Sequence, residues 1–205
     1  MIRSLRRVTD RRKQANGRYG WLFNPYTGDE LVAIDCETTG LDPKIAELVS
    51  IAAVRIKGDH VLTSDSLDLR LQQPDSLTGD SIRIHRLRGV DLEEGEPLQA
   101  ALERFIDFIG NRPLLGWCID YDISVINRHL RPLFGFDLPN VSIDMAQIYQ
   151  RELRRIRPHL EPHLGFESIA KALNVPVIGR HTALGDATTT ALMYVRLTKG
   201  ALEAC

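Results

Sequence analysis

The chain has 205 residues, 43% hydrophobic and 26% charged, the composition of a globular domain with enough apolar surface to build a core. No apolar run approaches membrane-spanning length, and the N-terminal arginines are not followed by the apolar segment of a secretory signal. Three cysteines (Cys36, Cys118 and Cys205) lack CxxC spacing, which argues against a disulfide framework or structural zinc and for a reducing, cytoplasmic setting.

The net charge of −1 hides an asymmetry. Residues 1–20 carry Arg3, Arg6, Arg7, Arg11, Arg12, Lys13 and Arg18 against Asp10, a net of +6 that leaves −7 for the rest. This leader reads as a basic, flexible arm, and residues 21–205 as a single domain. A basic arm can hold a phosphate backbone. A solvated leader, or a contact with another subunit, accounts for the composition equally well. Residues 21–30 form a turn into the first strand, the apolar run Leu31–Ile34 that continues through Asp35-Cys36-Glu37 and stops at Thr38-Thr39-Gly40. Leu48–Ile56 and Val61–Leu71 read as second and third strands in an antiparallel meander. Residues 72–96 are polar and turn-rich without a clear period. Pro97–Ile109 is an amphipathic helix, with Leu98, Ala101, Leu102, Phe105, Ile106 and Ile109 on one side. Leu114–Trp117 reads as a short buried strand, Asp122–Leu133 as a helix, and Val141–Ile143 as another short strand. Helices follow at Asp144–Ile156, Glu167–Leu173 and Ala183–Leu197. A meander followed by strands alternating with helices is an α/β plan with a mixed sheet.

Strand side chains alternate, so Asp35 and Glu37 share one face. Two such carboxylates repel unless a cation lies between them, and a hard divalent ion such as magnesium prefers oxygen ligands. An acid-x-acid pair alone is more often a solvated strand end; the rest of the chain changes the balance. Asp122 falls near a helix start, where aspartate is also a favoured cap. His181 and Asp186, in His-Thr-Ala-Leu-Gly-Asp-Ala, open the last helix, where a bare carboxylate is costly to bury. Four acids and a histidine from separate segments suit two-metal phosphoryl transfer, with the histidine as base. Arg151, Arg154, Arg155 and Arg157 cluster near a helix end, where they favour the helix dipole or contact a nucleic-acid backbone.

Asp35-x-Glu37-Thr-Thr-Gly, Asp122 and His181-x4-Asp186 resemble, in order, the three motifs of the DEDDh (DnaQ-like) 3′→5′ exonucleases, which include epsilon-type proofreading subunits. The resemblance spans roughly residues 30–198. It implies a ribonuclease H-like fold, a mixed five-stranded sheet flanked by helices, with two Mg²⁺ or Mn²⁺ ions. It implies that Asp35, Glu37 and Asp186 hold one ion, that Asp35 and, largely through water, Asp122 hold the second, and that His181 is the general base. It places Thr38, Thr39 and Leu41 around the terminal nucleotide, with His85 near it. One departure stands out: the family's second motif commonly has His-Asn where this chain has Trp117-Cys118. Trp117 either stacks on a base or belongs to the core.

The function so implied is metal-dependent release of nucleoside 5′-monophosphates from the 3′ end of single-stranded or frayed nucleic acid, DNA favoured over RNA. A polymerase or another protein is the expected partner, and no membrane. A catalytically weak nucleic-acid-binding accessory subunit and a small-nucleotide phosphodiesterase are the rival readings.

Overall fold

A computed structural model describes residues 2–160, 163–200 and 202, and side chains from residue 6 onward within those ranges. Cys205 lies outside them; Cys36 and Cys118 are free thiols. The first strand, β1 (Glu30–Thr38), is central because its branched apolar run can be buried on both faces. It pairs antiparallel with β2 (Leu48–Lys57) and parallel with β4 (Leu114–Gly116). β3 (His60–Arg70) extends the meander beyond β2, and β5 (Ser142–Asp144) lies parallel outside β4. The order β3-β2-β1-β4-β5 is a mixed five-stranded sheet. Gly58, at φ +57°, makes the tight turn from β2 to β3.

Helices cover both faces. On one, α3 (Leu98–Ile109) and α4 (Ile119–Phe134) bury Leu102, Phe105, Ile106, Val125 and Ile126 against Val32, Ile34 and Ile51. On the other, α5 (Met145–Ile156), α6 (Phe166–Ala172) and α7 (Ala183–Thr198) pack Met145, Ile169 and Ala191 against Ala33 and Leu115. Strand alternation therefore sends Val32 and Ile34 to the first layer and Ala33, Asp35 and Glu37 to the second. The first half of α7 carries a buried run of small residues, Gly185, Ala187, Thr188, Thr189, Thr190 and Ala191. A helix surface this shallow lets its backbone lie close to the sheet. Among the described residues no helix is long and apolar enough to cross a membrane.

The structure departs from the sequence reading in several places. Residues 1–20 read as poorly ordered, yet Ile2–Gln14 is a helix, α1. Among the described residues, polar contacts hold it. Asp10, only 2% exposed, pairs with Arg131 at 2.8 Å and accepts the Asp137 N–H, while Gln14 donates to the Phe134 carbonyl at 3.0 Å. Tyr19 then packs on Phe134 and Phe136. The aperiodic stretch 72–96 contains a short helix, α2 (Gly79–His85), started by a Thr78–Ser81 capping box. α4 begins three residues before Asp122, with Cys118 at φ +51° just ahead of it. β5 is shifted one residue later than expected.

Candidate active site

The acids converge where β1 and β4 end and α4 and α7 begin. Asp35 and Glu37 lie opposite Ala52 and Ser50 of β2, two small residues that leave space above the sheet. The first turn of α7 brings Asp186 to the same place. Oxygen atoms of Asp35, Glu37 and Asp186 all lie within 4.8 Å of one another. One Asp186 oxygen, Oδ1, is buried without a hydrogen-bond partner. An orphaned anionic acceptor among three oxygen donors is a donor set that fits a hard divalent cation.

Asp122 stands beside this trio. Alternation points the Cys36 N–H to the β4 side, as it does that of Val32, which donates to Pro113. β4 ends at Gly116, and its chain turns away into α4. The Asp122 carboxylate takes the place of the missing strand and accepts the Cys36 N–H at 3.1 Å. Its position is thus fixed by the backbone between the two strand acids.

The cluster is electrostatically strained. Burial, then repulsion by Asp122, Glu37 and Asp186, lifts Asp35 well above the ordinary carboxylate range. Burial and Asp186 push Glu37 up to about 7. Burial does the same to Asp122, also to about 7, against the opposing pull of its backbone hydrogen bonds. Asp186 is raised by burial too, while Arg180 draws it down.

His181 sits in the loop entering α7, at φ +64°. Its N–H donates to Asp186 Oδ2 at 3.3 Å, and its ring is near enough to favour the charged form of Asp186. The loop is pinned to the helix it precedes. Thr182 caps α7 by accepting the Gly185 N–H, and Thr189 accepts the Ile178 N–H at 3.0 Å. A Cβ on Gly185 would lie 2.4 Å from the carbonyl oxygens of both Ile178 and Gly179, so only glycine permits this approach.

The Thr38-Thr39-Gly40 turn forms one wall. Tyr121 of α4 shares a 2.7 Å hydrogen bond with Thr38 and also bonds the Gly40 carbonyl. Thr39 is tied to Ser76 at 2.8 Å, accepts the Glu47 N–H through its hydroxyl and donates its own N–H to the Glu47 carbonyl. The loop these contacts hold presents two exposed apolar side chains, Leu41 at 87% exposure and Ile45 at 71%. Arg128 braces it from α4 through the Ala46 carbonyl.

His85, placed near the nucleotide by the resemblance, and Trp117, read as either a base-stacking or a core residue, both pack against protein. His85 is buried, its Nδ1 accepting the Leu87 N–H at 3.1 Å and its Nε2 without a partner; burial lowers its pKa. It lines a cavity of about 50 Å³ shared with Ser50, Thr182 and Ala183, behind the loop that carries His181. Trp117 is half-buried and meets Phe166 edge to face, with centroids 5.1 Å apart. Arg151 and Arg155 line a separate cavity of about 920 Å³ between β5, α5 and the end of α7. The sequence reading passed over Tyr121 and Arg180. Arg180 pairs directly with Asp186, and its position next to His181 was the available signal.

A family model described as exonuclease (RNase_T) matches residues 32–194. The chain is 28% identical to the DNA polymerase III subunit epsilon of Aquifex aeolicus, over 81% of its own length and 79% of the relative's. It is 28% identical to the corresponding Rickettsia felis subunit, over 82% and 74% of the two chains. Against the PolC-type DNA polymerase III of Thermotoga maritima it is 24% identical and spans only 12% of that protein. Among solved structures, cell-death related nuclease 4 (CRN-4) superposes with a TM-score of 0.73 at 16% identity, covering 84% of this chain and 64% of that one. E. coli exonuclease I in complex with a dT13 oligonucleotide gives 0.70 at 17% identity, covering 86% and 42%. At these identities the superpositions establish the fold.

Proposed function

We propose, from the premise that this chain belongs to the exonuclease family whose model spans residues 32–194, that it removes nucleoside 5′-monophosphates from the 3′ end of single-stranded or frayed nucleic acid, DNA in preference to RNA. The observation that carries this reading is the convergence of Asp35, Glu37 and Asp186 within 4.8 Å beside Asp122 and His181. A protein that only bound nucleic acid would have no use for carboxylates that resist ionisation.

Asp35, Glu37 and Asp186 would hold one Mg²⁺ or Mn²⁺ ion, and Asp35 with Asp122 a second. Such a pair supplies charge stabilisation for the attacking and leaving oxygens of an in-line displacement. His181 receives the proton of the attacking water, and Asp186, bonded to the His181 backbone, holds that loop in place. Thr38 and Thr39 shape the turn against which the terminal nucleotide lies. Leu41 and Ile45 give its base and its neighbour apolar surfaces, which grip single strands without reading sequence. The exposed arginines of α1 offer a second contact for a longer strand. The preference for DNA follows the names of the relatives, which are DNA polymerase III subunits. A cytoplasmic protein that works with a polymerase or another protein partner fits the same reading.

The test is degradation of 5′-labelled single-stranded DNA and of the matching RNA in Mg²⁺, Mn²⁺ or EDTA, beside the Asp35→Ala protein. The expected result is a metal-dependent ladder shortening from the 3′ end, faster on DNA and absent in the variant. Equal metal-dependent cleavage by a clean Asp35→Ala preparation would overturn the assignment.

A further inference from the structure

The cation that faces the acid cluster in this structure is Arg180. Its Nη1 pairs with Asp186 Oδ2, and its charge favours the ionised forms of Asp35 and Glu37 as well. The guanidinium is carried on a built support. It lies 4.3 Å over the Phe166 ring, and Phe166 meets Trp117 edge to face at 5.1 Å. Nε is buried without a hydrogen-bond partner, 4.0 Å from Glu167. Trp117, with Cys118, is where the chain departs from the resembled second motif. Its aromatic surface backs Phe166, so the departure and the arginine belong to one arrangement.

Two features give this pair a consequence. Asp186 is one of the three carboxylates that fit a cation, and one of its oxygens is engaged by a positive charge. A divalent ion on the free Oδ1 meets repulsion from the guanidinium beside it, and it gains Oδ2 as well only by displacing Arg180. The Arg180 side chain is also 30% exposed, so it remains open to a ligand, and the guanidinium fork matches phosphate geometry.

We propose that Arg180 is a positioning residue that competes with metal for Asp186 until a nucleotide phosphate draws it away, so that metal and phosphate bind cooperatively. This rests on the exonuclease reading and deepens it. Metal bound without substrate would be weak, and the site would assemble on the strand end. Linkage makes the effect reciprocal: phosphate tightens metal by the factor by which metal tightens phosphate.

The experiment is Mn²⁺ binding to the full chain, followed by electron paramagnetic resonance, with and without thymidine 5′-monophosphate. This probe carries the phosphate but no bond to hydrolyse. The parent protein should bind Mn²⁺ more tightly with the nucleotide by roughly 5- to 150-fold, the usual range of such couplings. R180Q should bind Mn²⁺ alone on the order of tenfold more tightly than the parent, with most of the coupling gone. R180K, which keeps the charge without the fork, should retain part of the coupling. Phe166→Leu, which removes only the support, should shift metal affinity in the direction of R180Q by a smaller factor. Unchanged or weaker Mn²⁺ binding in folded R180Q, or coupling that survives it, overturns the inference. In that case a parent that still degrades DNA leaves the exonuclease reading standing. A parent that neither binds Mn²⁺ nor degrades DNA overturns both.

Discussion

The two halves of the candidate site are held in different ways. Asp35 and Glu37 belong to a strand paired with β2 along its whole length and with β4 near its start, at Val32 and Ala33. Their placement follows from alternation alone, and Asp122 accepts the Cys36 amide between them. Arg180 and His181 belong to an irregular loop, and Asp186 to the helix turn it leads into. There, Gly179 and His181 both adopt positive φ and a few side-chain bonds do the holding. The strand half should therefore fail through loss of chemistry, and the loop half through small displacements.

The sharpest contrast comes from one substitution in each half. Asp35→Ala leaves the strand intact and removes the acid shared by both proposed metal positions. It should lower kcat by about three orders of magnitude or more, the scale at which a member of a catalytic group is lost, in a protein whose circular dichroism matches the parent. Gly185→Ala touches no reacting group. Its methyl would lie 2.4 Å from two carbonyl oxygens of the loop, so the loop must move. A displacement near 1 Å costs about 10²-fold in rate, and overpacking of this kind destabilises by about 1–3 kcal/mol. Steady-state kinetics and thermal unfolding of the two variants would check this. Parent-like activity in Gly185→Ala would show that the loop tolerates displacement and that the two halves do not differ as argued.

The same contrast explains what the sequence disclosed. The faces of Asp35 and Glu37 follow from a period of two and need no tertiary knowledge. The order of strands and helices follows from apolar runs and the turns between them, and the mixed five-stranded sheet from the resemblance. Arg180 is different: its partners include Phe166, fourteen positions earlier at the start of α6, and no local pattern announces that pairing. His85 matches a family position and Trp117 replaces one, and each packs against neighbours from distant segments. α1 was hidden for a related reason. Its charges look solvated until Asp10 meets Arg131, 121 residues away.

The strain within the acid cluster gives a smaller effect, visible in stability. Glu37 rises from an ordinary value of 4.5 to about 7 on folding. In metal-free protein the folded state then binds more protons than the unfolded chain between these values, so stability falls as pH rises through that window. Glu37→Gln removes the penalty. Metal-free, the variant should be as stable as the parent near pH 4 and more stable at pH 8 by up to about 3 kcal/mol, read as a higher Tm. Mn²⁺ should stabilise the parent at pH 8 and the variant much less. A Tm that falls with pH equally in both proteins would show that Glu37 carries no such strain.

The smallest expected effect lies farthest from the acids. Arg7, Arg11 and Arg12 are exposed on α1, and the helix is anchored by Asp10 and Gln14 rather than by them. Replacing all three with glutamine should leave the fold and the hydrolysis of a dinucleotide unchanged. Affinity for a long single strand should fall several-fold at low salt and converge with the parent's at high salt, because each phosphate left without its arginine reduces the slope of log K against log salt by about 0.7. A loss shared equally by short and long substrates would place these arginines at the reacting end instead. No loss for either would leave α1 as a structural helix whose charge serves solubility or another protein. The position of Asp10 favours the first outcome: burying one carboxylate to dock a helix this basic turns a diffuse charge into a fixed surface, which suits a ligand with regularly spaced phosphates.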